Sequence, residues 1–407
     1  MKAVNLLNLF ASCRRKDISK LAKPKLEEQI QLIATTAFGL EAIAGREIKA
    51  LGYEVLETEN GRVTFSGPVD AICRSNLWLR TAERVLLKVG EFKATTFDEL
   101  FEKTKALPWP RWIPEKGKFP VTGKSVKSQL GSVPDCQAIV KKAVVESLKK
   151  TYKNDWFAEE KGEYRIEAAL LKDRVTLTID TSGEGLHKRG YRKSTHQAPL
   201  KETLASALVQ LSYWKTGRVL IDPFCGSGTI PIEAALIGKN LAPGMNREFA
   251  SESWPWIPAV QWKQARKETH DVARFDEPVS IQGYDTDEKS LRSARHYARE
   301  AFLEDEIHFE KRDFHELRSR YSYGCVITNP PYGERMGEGE AIHQMYHDLG
   351  RVLKDMSTWS HYILTAYPDL EKAFGRKADR RRKLYNGRIL CQYYQYQGPR
   401  PPRKDES

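Results

Sequence analysis

Apolar positions along the chain recur first in short mixed blocks and then in a long regular alternation. From Gln29, QLIATTAF reads as a strand, and Gly39 to Leu51 carries apolar residues at helical spacing (Leu40, Ile43, Ala44, Ile48, Leu51) before Gly52 stops it. YEVLETENGRVTFSG then alternates about Asn60-Gly61, a dipeptide suited to a tight hairpin. Residues 29–67 are therefore expected to form a small α+β unit. Across 68–182, helical stretches at Val69 to Leu79, Phe97 to Leu107 and Asp135 to Lys150 mix with β-like runs at Arg84 to Phe92 and Arg174 to Asp180. From 183 to 397 strand and helix alternate, which predicts an α/β domain: a mostly parallel, seven-stranded sheet covered on both faces. Its last two strands, around RRRKLY and RILCQYYQY, should be joined by the Asn386-Gly387 turn. Residues 1–28 lack an amphipathic period and read as a basic extension, and 398–407 as a polar tail.

Composition narrows the classes. The 407 residues carry 66 Lys and Arg against 54 acids, a formal charge of +12, which suits a polyanionic partner. The apolar stretch Ala3 to Ala11 is broken by Asn5 and Asn8 and followed by Arg14, Arg15 and Lys16, so neither a spanning helix nor a signal peptide is expected. Six well-separated cysteines form no CxxC pair and no zinc-ligand cluster, which points to a reducing cytoplasm and no metal. Lys116, Lys118, Lys124 and Lys127 surround Gly117, Gly123 and Gly131 before the helix near Pro134. That basic segment reads either as phosphate-contacting, through Lys124 and Lys127, or as a solvated loop. Arg380, Arg381, Arg382 and Lys383 form a second candidate patch.

The strongest motif is RVLIDPFCGSGTIPIEAALIG: an apolar strand, Asp222, Phe224 in a turn with Gly226 and Gly228, and a helix from Thr229. Glycines there let backbone N–H groups approach a ligand at the helix start. The spacing is neither the GxGxxG of dinucleotide binding nor the GxxxxGKS/T of a phosphate loop. It resembles the first motif of class I S-adenosylmethionine-dependent methyltransferases, which implies that the turn holds the methionine part of that cofactor. By the same resemblance Asp285, closing SIQGYDTD, accepts the ribose hydroxyls, and Asp313 in EKRDF meets the adenine amino group. Either acid alone also fits a helix cap. A Pro- and Trp-rich insertion at 240–278, with Trp254, Trp256 and Trp262, separates the glycines from Asp285.

CVITNPPYGER sets Asn329-Pro330-Pro331-Tyr332 directly after an apolar strand, at the sheet edge where such folds bind ligands. Two prolines stiffen the turn and fix the direction of Asn329. An exocyclic amine conjugated into a base is a poor nucleophile; acceptors on its hydrogens, from Asn329 and the Pro330 carbonyl, would localise the lone pair, and Tyr332 would stack on the base. The plainer reading is a proline turn with an Asn cap. Cys225 reads as a small packed residue rather than a nucleophile.

AICRSNLWLRTAERVLL, SVPDCQAIVKKAVVESL, GLHKRGYRKSTHQAPLKETLASALV, DPFCGSGT and NPPYGER together resemble bacterial THUMP-domain RNA methyltransferases, whose members include ribosomal RNA guanine-(2-amino) methyltransferases. The resemblance implies a ferredoxin-like unit at 29–67, an RNA-binding THUMP domain at 68–182 and a methyltransferase domain at 183–397. It also implies that His196, Ala198 and Lys201 border the cofactor, that structured RNA is the partner, and that the second methyltransferase domain of some longer relatives is missing here. A transfer RNA guanosine methyltransferase, a DNA amino-methyltransferase and a non-catalytic assembly factor remain the alternatives.

Overall fold

A computed structural model describes residues 25–192, 200–332 and 339–402. They fall into two compact units: 87–180 with 253–257 (and the described residues up to 28), and 29–86 with 181–252 and 258–402. The predicted basic extension, up to residue 24, lies outside the described residues, as do His196, Ala198 and the tail beyond 402.

The larger unit opens with β1 (Ile30–Thr36), helix α1 (Glu41–Ala50) and the hairpin β2 (Glu54–Glu59) and β3 (Arg62–Gly67), with β1 and β2 antiparallel to β3. The Asn60-Gly61 turn forms as expected, Gly61 taking the left-handed φ of +77°. Glu41 ties the helix start to the turn, its carboxylate accepting the Gly39 and Gly61 N–H groups at 2.9 and 2.8 Å. Helix α2 (Ala71–Trp78) follows, and β4 (Ala82–Lys93) runs on into the smaller unit.

That smaller unit contains α3 (Phe97–Lys105), β5 (Val121–Val126), α4 (Val133–Tyr152), β6 (Ile166–Leu171) and β7 (Arg174–Asp180). Helix α3 is capped at its start: Thr96 accepts the Glu99 N–H, and Glu99 reaches back to accept the Thr95 N–H. Strand β5 lies parallel to β6, and β6 antiparallel to β7. Lys124 thus sits within a strand that periodicity did not reveal, because alternating Val121, Gly123 and Ser125 present little apolar surface. Trp254 and Trp256 of the 240–278 insertion belong here; Trp254 stacks on Tyr164 at 4.9 Å, and Trp256 donates to the Trp112 carbonyl.

Within the larger unit, a seven-stranded sheet has the order β10-β9-β8-β11-β12-β14-β13. The strands are β8 (Leu220–Asp222), β9 (Ile281–Asp285), β10 (Ile307–Lys311), β11 (Cys325–Thr328), β12 (Ser360–Thr365), β13 (Arg380–Asn386) and β14 (Ile389–Tyr396). The first five in spatial order are parallel, and β14 and β13 antiparallel. As expected, Asn386-Gly387 joins the last two strands, Asn386 facing Ile389. Helices α5 (Glu202–Leu211), α6 (Thr229–Gly238), α7 (Ala259–Asp271), α8 (Glu288–Glu300) and α9 (Gly339–Lys354) complete it. One apolar cluster gathers Leu204, Leu208, Ile230, Ile232, Leu291 and Phe309, and the other gathers Tyr346, Leu349, Leu353 and Tyr394. Of the insertion, α7 is fixed to α2 by a bidentate Arg74–Glu268 pair, both bonds 2.8 Å.

A buried polar cluster underlies α5 and α6. Arg189 and Glu233 pair at 3.3 Å with side chains 2% and 0% exposed, and Tyr191 and Ser206 add hydroxyls to the same carboxylate. Burial without those partners would cost several kcal/mol, roughly 3–5 when one member of such a pair is removed.

Candidate active site

Parallel pairing sets the ends of β8, β9 and β11 side by side, Asp222 opposite Gly283 and Ile221 opposite Val326. Asp222 is 2% exposed; its Oδ1 accepts the Thr328 hydroxyl at 2.6 Å and the Phe224 N–H at 3.2 Å. Burial pushes its carboxyl up to about 7, against those two hydrogen bonds, and the charge of Asp285 adds to the rise. Gly226 and Gly228 take φ of +52° and +79°, and Gly228 is the left-handed cap of α6. A Cβ on Gly228 would sit 2.9 Å from the Phe309 ring and 3.0 Å from Ala294, so this turn admits no side chain. The Gly226 N–H donates to Asp285 Oδ2 at 2.8 Å, and the Asp287 N–H to Oδ1 at 2.9 Å. Each oxygen of the half-buried Asp285 therefore keeps acceptor capacity beyond the turn it orders.

Asp313 caps the short helix Phe314–Glu316. The His315 N–H, at 2.9 Å, holds its carboxyl below the usual range, helped by the His315 ring. Phe224 lies 5.0 Å from Phe314, ring to ring, so Phe224 and Asp313 share one corner of the site. Lys201 precedes α5 and pairs with Glu83 at 3.0 Å. Glu83 is lowered to about 2: burial opposes ionisation, and bonds from His187 and Thr203 with the Lys201 ammonium overcome it. Cys225 is 7% exposed, and burial together with Asp222 and Asp285 pushes its thiol far up, as an inert packed residue requires.

At the end of β11, Asn329 Oδ1 is buried with no hydrogen-bond partner among the described residues. Buried acceptors are normally satisfied, so this carbonyl is free to accept from a bound group. Pro330 is buried, and the Tyr332 hydroxyl accepts from Asn386 Nδ2 at 2.9 Å. Gly333, Glu334 and Arg335 lie outside the described residues.

Three parts escaped the sequence reading. Arg192, its side chain 6% exposed, donates to Glu202 at 2.8 Å and Thr229 at 2.7 Å and so braces the glycine turn. Thr328 bonds Asp222, and Asn386 holds Tyr332; only the adjacency of Thr328 to Asn329 hinted at either. Of the basic residues, Lys124 is exposed and pairs with Glu167 at 2.8 Å, and Lys127 is exposed with φ of +51°. Arg380, Arg381, Arg382 and Lys383 lie on β13; Arg381 approaches Glu371 at 3.5 Å. Among the described residues no group of His, Cys, Asp or Glu is arranged to hold a metal, and no helix is long and apolar enough to cross a membrane.

A mostly parallel seven-stranded sheet with an antiparallel terminal hairpin, a glycine turn capping the helix after its first strand, and acids closing that strand and the next define a class I methyltransferase dependent on S-adenosylmethionine. Residues 189–395 match the family described as RMKL-like, methyltransferase domain; 31–86 match the RlmL ferredoxin-like domain, and 94–180 the THUMP domain. Those spans stand beside the 29–67 and 68–182 drawn from sequence. YpsC of Bacillus subtilis (strain 168), which carries a provisional RNA-methyltransferase name, is 53% identical over 376 residues, 92% of this chain and 97% of YpsC. The Ribosomal RNA large subunit methyltransferase K/L of Syntrophotalea carbinolica is 35% identical over 387 residues; the match covers 90% of this chain and 53% of that protein. Among solved structures, SMU.472, which carries a provisional methyltransferase name and is complexed with SAH, superposes with a TM-score of 0.88 at 43% identity, covering 92% of this chain and all of that one. A Listeria monocytogenes protein designated an N6-adenine-specific DNA methylase gives 0.88 at 53% identity, covering 91% and 97%. The chain belongs to the RMKL-like methyltransferase family.

Proposed function

We propose that this enzyme transfers a methyl group to the exocyclic 2-amino group of a guanine in RNA, most specifically in large-subunit ribosomal RNA. The unpartnered, buried Asn329 Oδ1 carries this reading. It supplies the acceptor that an amine on a base requires, in a turn whose direction two prolines fix.

S-adenosylmethionine supplies an activated methyl group on a sulfonium. Asp222, Phe224, Gly226, Gly228, Asp285 and Asp313 are the residues we assign to holding it, with His196, Ala198 and Lys201 bordering it. The fit rests on three features: a turn without side-chain bulk, the free acceptor capacity of Asp285, and a buried acid in Asp222 whose ionised form an adjacent cation would stabilise. Asn329 and the Pro330 carbonyl accept the two amine hydrogens and aim the nitrogen lone pair. Tyr332, fixed by Asn386, stacks on the base. The methyl group would come from the bound sulfonium, and the amine held by Asn329 and Pro330 would give up one proton in exchange. Positioning of this kind supplies effective molarities of ~10⁵ M or more. The base must leave its stack, at a cost of a few kcal/mol that RNA contacts elsewhere offset.

RNA is favoured over DNA by the THUMP and ferredoxin-like matches ahead of the catalytic domain, although the Listeria relative carries a DNA-methylase designation. Lys124, Lys127 and the β13 arginines are the proposed phosphate contacts. Incubation with tritiated S-adenosylmethionine and ribosomal RNA, transfer RNA or duplex DNA tests the reading. Label entering ribosomal RNA, and lost in Asn329→Ala, supports it; label entering only DNA overturns it.

A further inference from the structure

The last hairpin packs against the turn that leads into helix α1, and three arginines, Arg46, Arg380 and Arg382, lie on these two elements. Alternation along β13 puts Arg380 and Arg382 on the same side as Leu384, which is buried. Leu384, on that side, meets the turn before α1: a Cβ on Gly39 would lie 3.1 Å from its side chain and 2.7 Å from the Lys383 carbonyl, while Tyr385, on the other side of the strand, approaches Phe38 at 5.9 Å. Burial first, and then the charges of Arg380 and of Arg46, which is exposed on α1, hold the Arg382 guanidinium below its ordinary value, and its buried Nε has no hydrogen-bond partner among the described residues.

Among the described residues none of Arg46, Arg380, Arg382 or Lys383 has an acidic partner. The acids nearest in sequence are committed elsewhere: Glu41 to the Gly39 and Gly61 N–H groups, Glu47 to Arg80, Thr81 and Gln210, and Asp379 to Arg376 and the Gln397 N–H. Lys124, by contrast, is met by Glu167. Like charges held together without counter-ions favour a bound polyanion. The hairpin turns at Asn386, which bonds Tyr332, and its tip leaves Ile389 and Leu390 50% and 45% exposed; Phe38, against Tyr385, is 52% exposed.

We infer that α1 and the β13–β14 hairpin together form a second RNA-binding face, which takes the phosphates flanking the target nucleotide while Phe38 and Tyr385 offer stacking surface to an unpaired base. The ferredoxin-like part then joins in holding substrate, and single-stranded RNA next to the modified base is the segment this face fits, since basic residues interleaved with aromatics are how proteins grip it. This rests on the RNA methyltransferase reading above.

The test measures binding to large-subunit ribosomal RNA, isolated from a strain lacking the gene, across a series of salt concentrations. For wild type, Arg46→Gln and the Arg380→Gln/Arg382→Gln pair, log affinity is plotted against log salt. Removing one side chain that neutralises a phosphate should flatten the slope by about 0.7–0.9. Both variants should flatten it and raise the KM for RNA, while calorimetric affinity for S-adenosylmethionine stays that of wild type. Arg46→Gln alters one exposed side chain and serves if the pair fails to fold. Unchanged slopes in both variants, with wild type active, overturn this face alone; wild type inactive on every RNA overturns the enzymatic reading beneath it.

Discussion

Asp222 offers a test in which protonation and geometry are coupled. Its carboxyl ordinarily ionises near 3.8, and burial lifts it to about 7 in the folded chain. A group whose folded pKa is raised contributes stability that is complete below the unfolded value and lost as pH climbs through the folded one. Between pH 5 and pH 8 the loss from a shift of this size is roughly 2.5 kcal/mol. Asn at this position cannot ionise and still accepts from Thr328 and Phe224, so Asp222→Asn should abolish that portion of the pH dependence. Thermal melts without cofactor, at pH 5, 6, 7 and 8, compare the two proteins. Wild type should lose ground to the variant as pH rises, with most of the change between 5 and 7. Parallel curves would refute the burial argument. A cationic cofactor beside this carboxyl favours its ionised form, so wild-type affinity for S-adenosylmethionine should rise with pH through 7, with proton release seen as buffer-dependent binding enthalpy. Affinity indifferent to pH would separate Asp222 from the cofactor.

Asp285→Ala removes the acceptor that orders Gly226 and should weaken S-adenosylmethionine by ~1–3 kcal/mol in calorimetry; unchanged affinity would remove Asp285 from the site. Gly228→Ala places a methyl 2.9 Å from the Phe309 ring at a φ of +79°, and melts should show a loss of roughly 1–3 kcal/mol; wild-type stability would mean the turn yields. Arg189→Met leaves the buried Glu233 side chain without its guanidinium partner, for an expected loss of about 3–5 kcal/mol in urea unfolding, which a simultaneous Glu233→Gln should partly restore.

The catalytic sheet was legible because its signals are local. Asp222 to Thr229 carries a strand, a turn and a helix in one stretch, and Asn386-Gly387 needs only its own dipeptide chemistry. The β5 strand was not legible, since small and polar residues occupy its period-two positions. Nor were the long-range bonds: Arg192 to Thr229, Thr328 to Asp222 and Asn386 to Tyr332 join residues far apart in the chain, and periodicity carries no information about such pairs. The insertion was visible as tryptophans, but that Trp254 and Trp256 serve the smaller unit while α7 clamps α2 follows only from tertiary packing.

The central claim, that Asn329 directs a methyl group onto a guanine amine in ribosomal RNA, is tested most directly by the product in the cell. Ribosomal and transfer RNA from a strain lacking the gene are digested separately and their nucleosides measured by mass spectrometry, with wild-type or Asn329→Ala genes restored. Loss of 2-methylguanosine from large-subunit ribosomal RNA, restored by wild type and not by Asn329→Ala, is the predicted result. Full restoration by Asn329→Ala, or nucleosides unchanged by the deletion in both RNA pools, would contradict it.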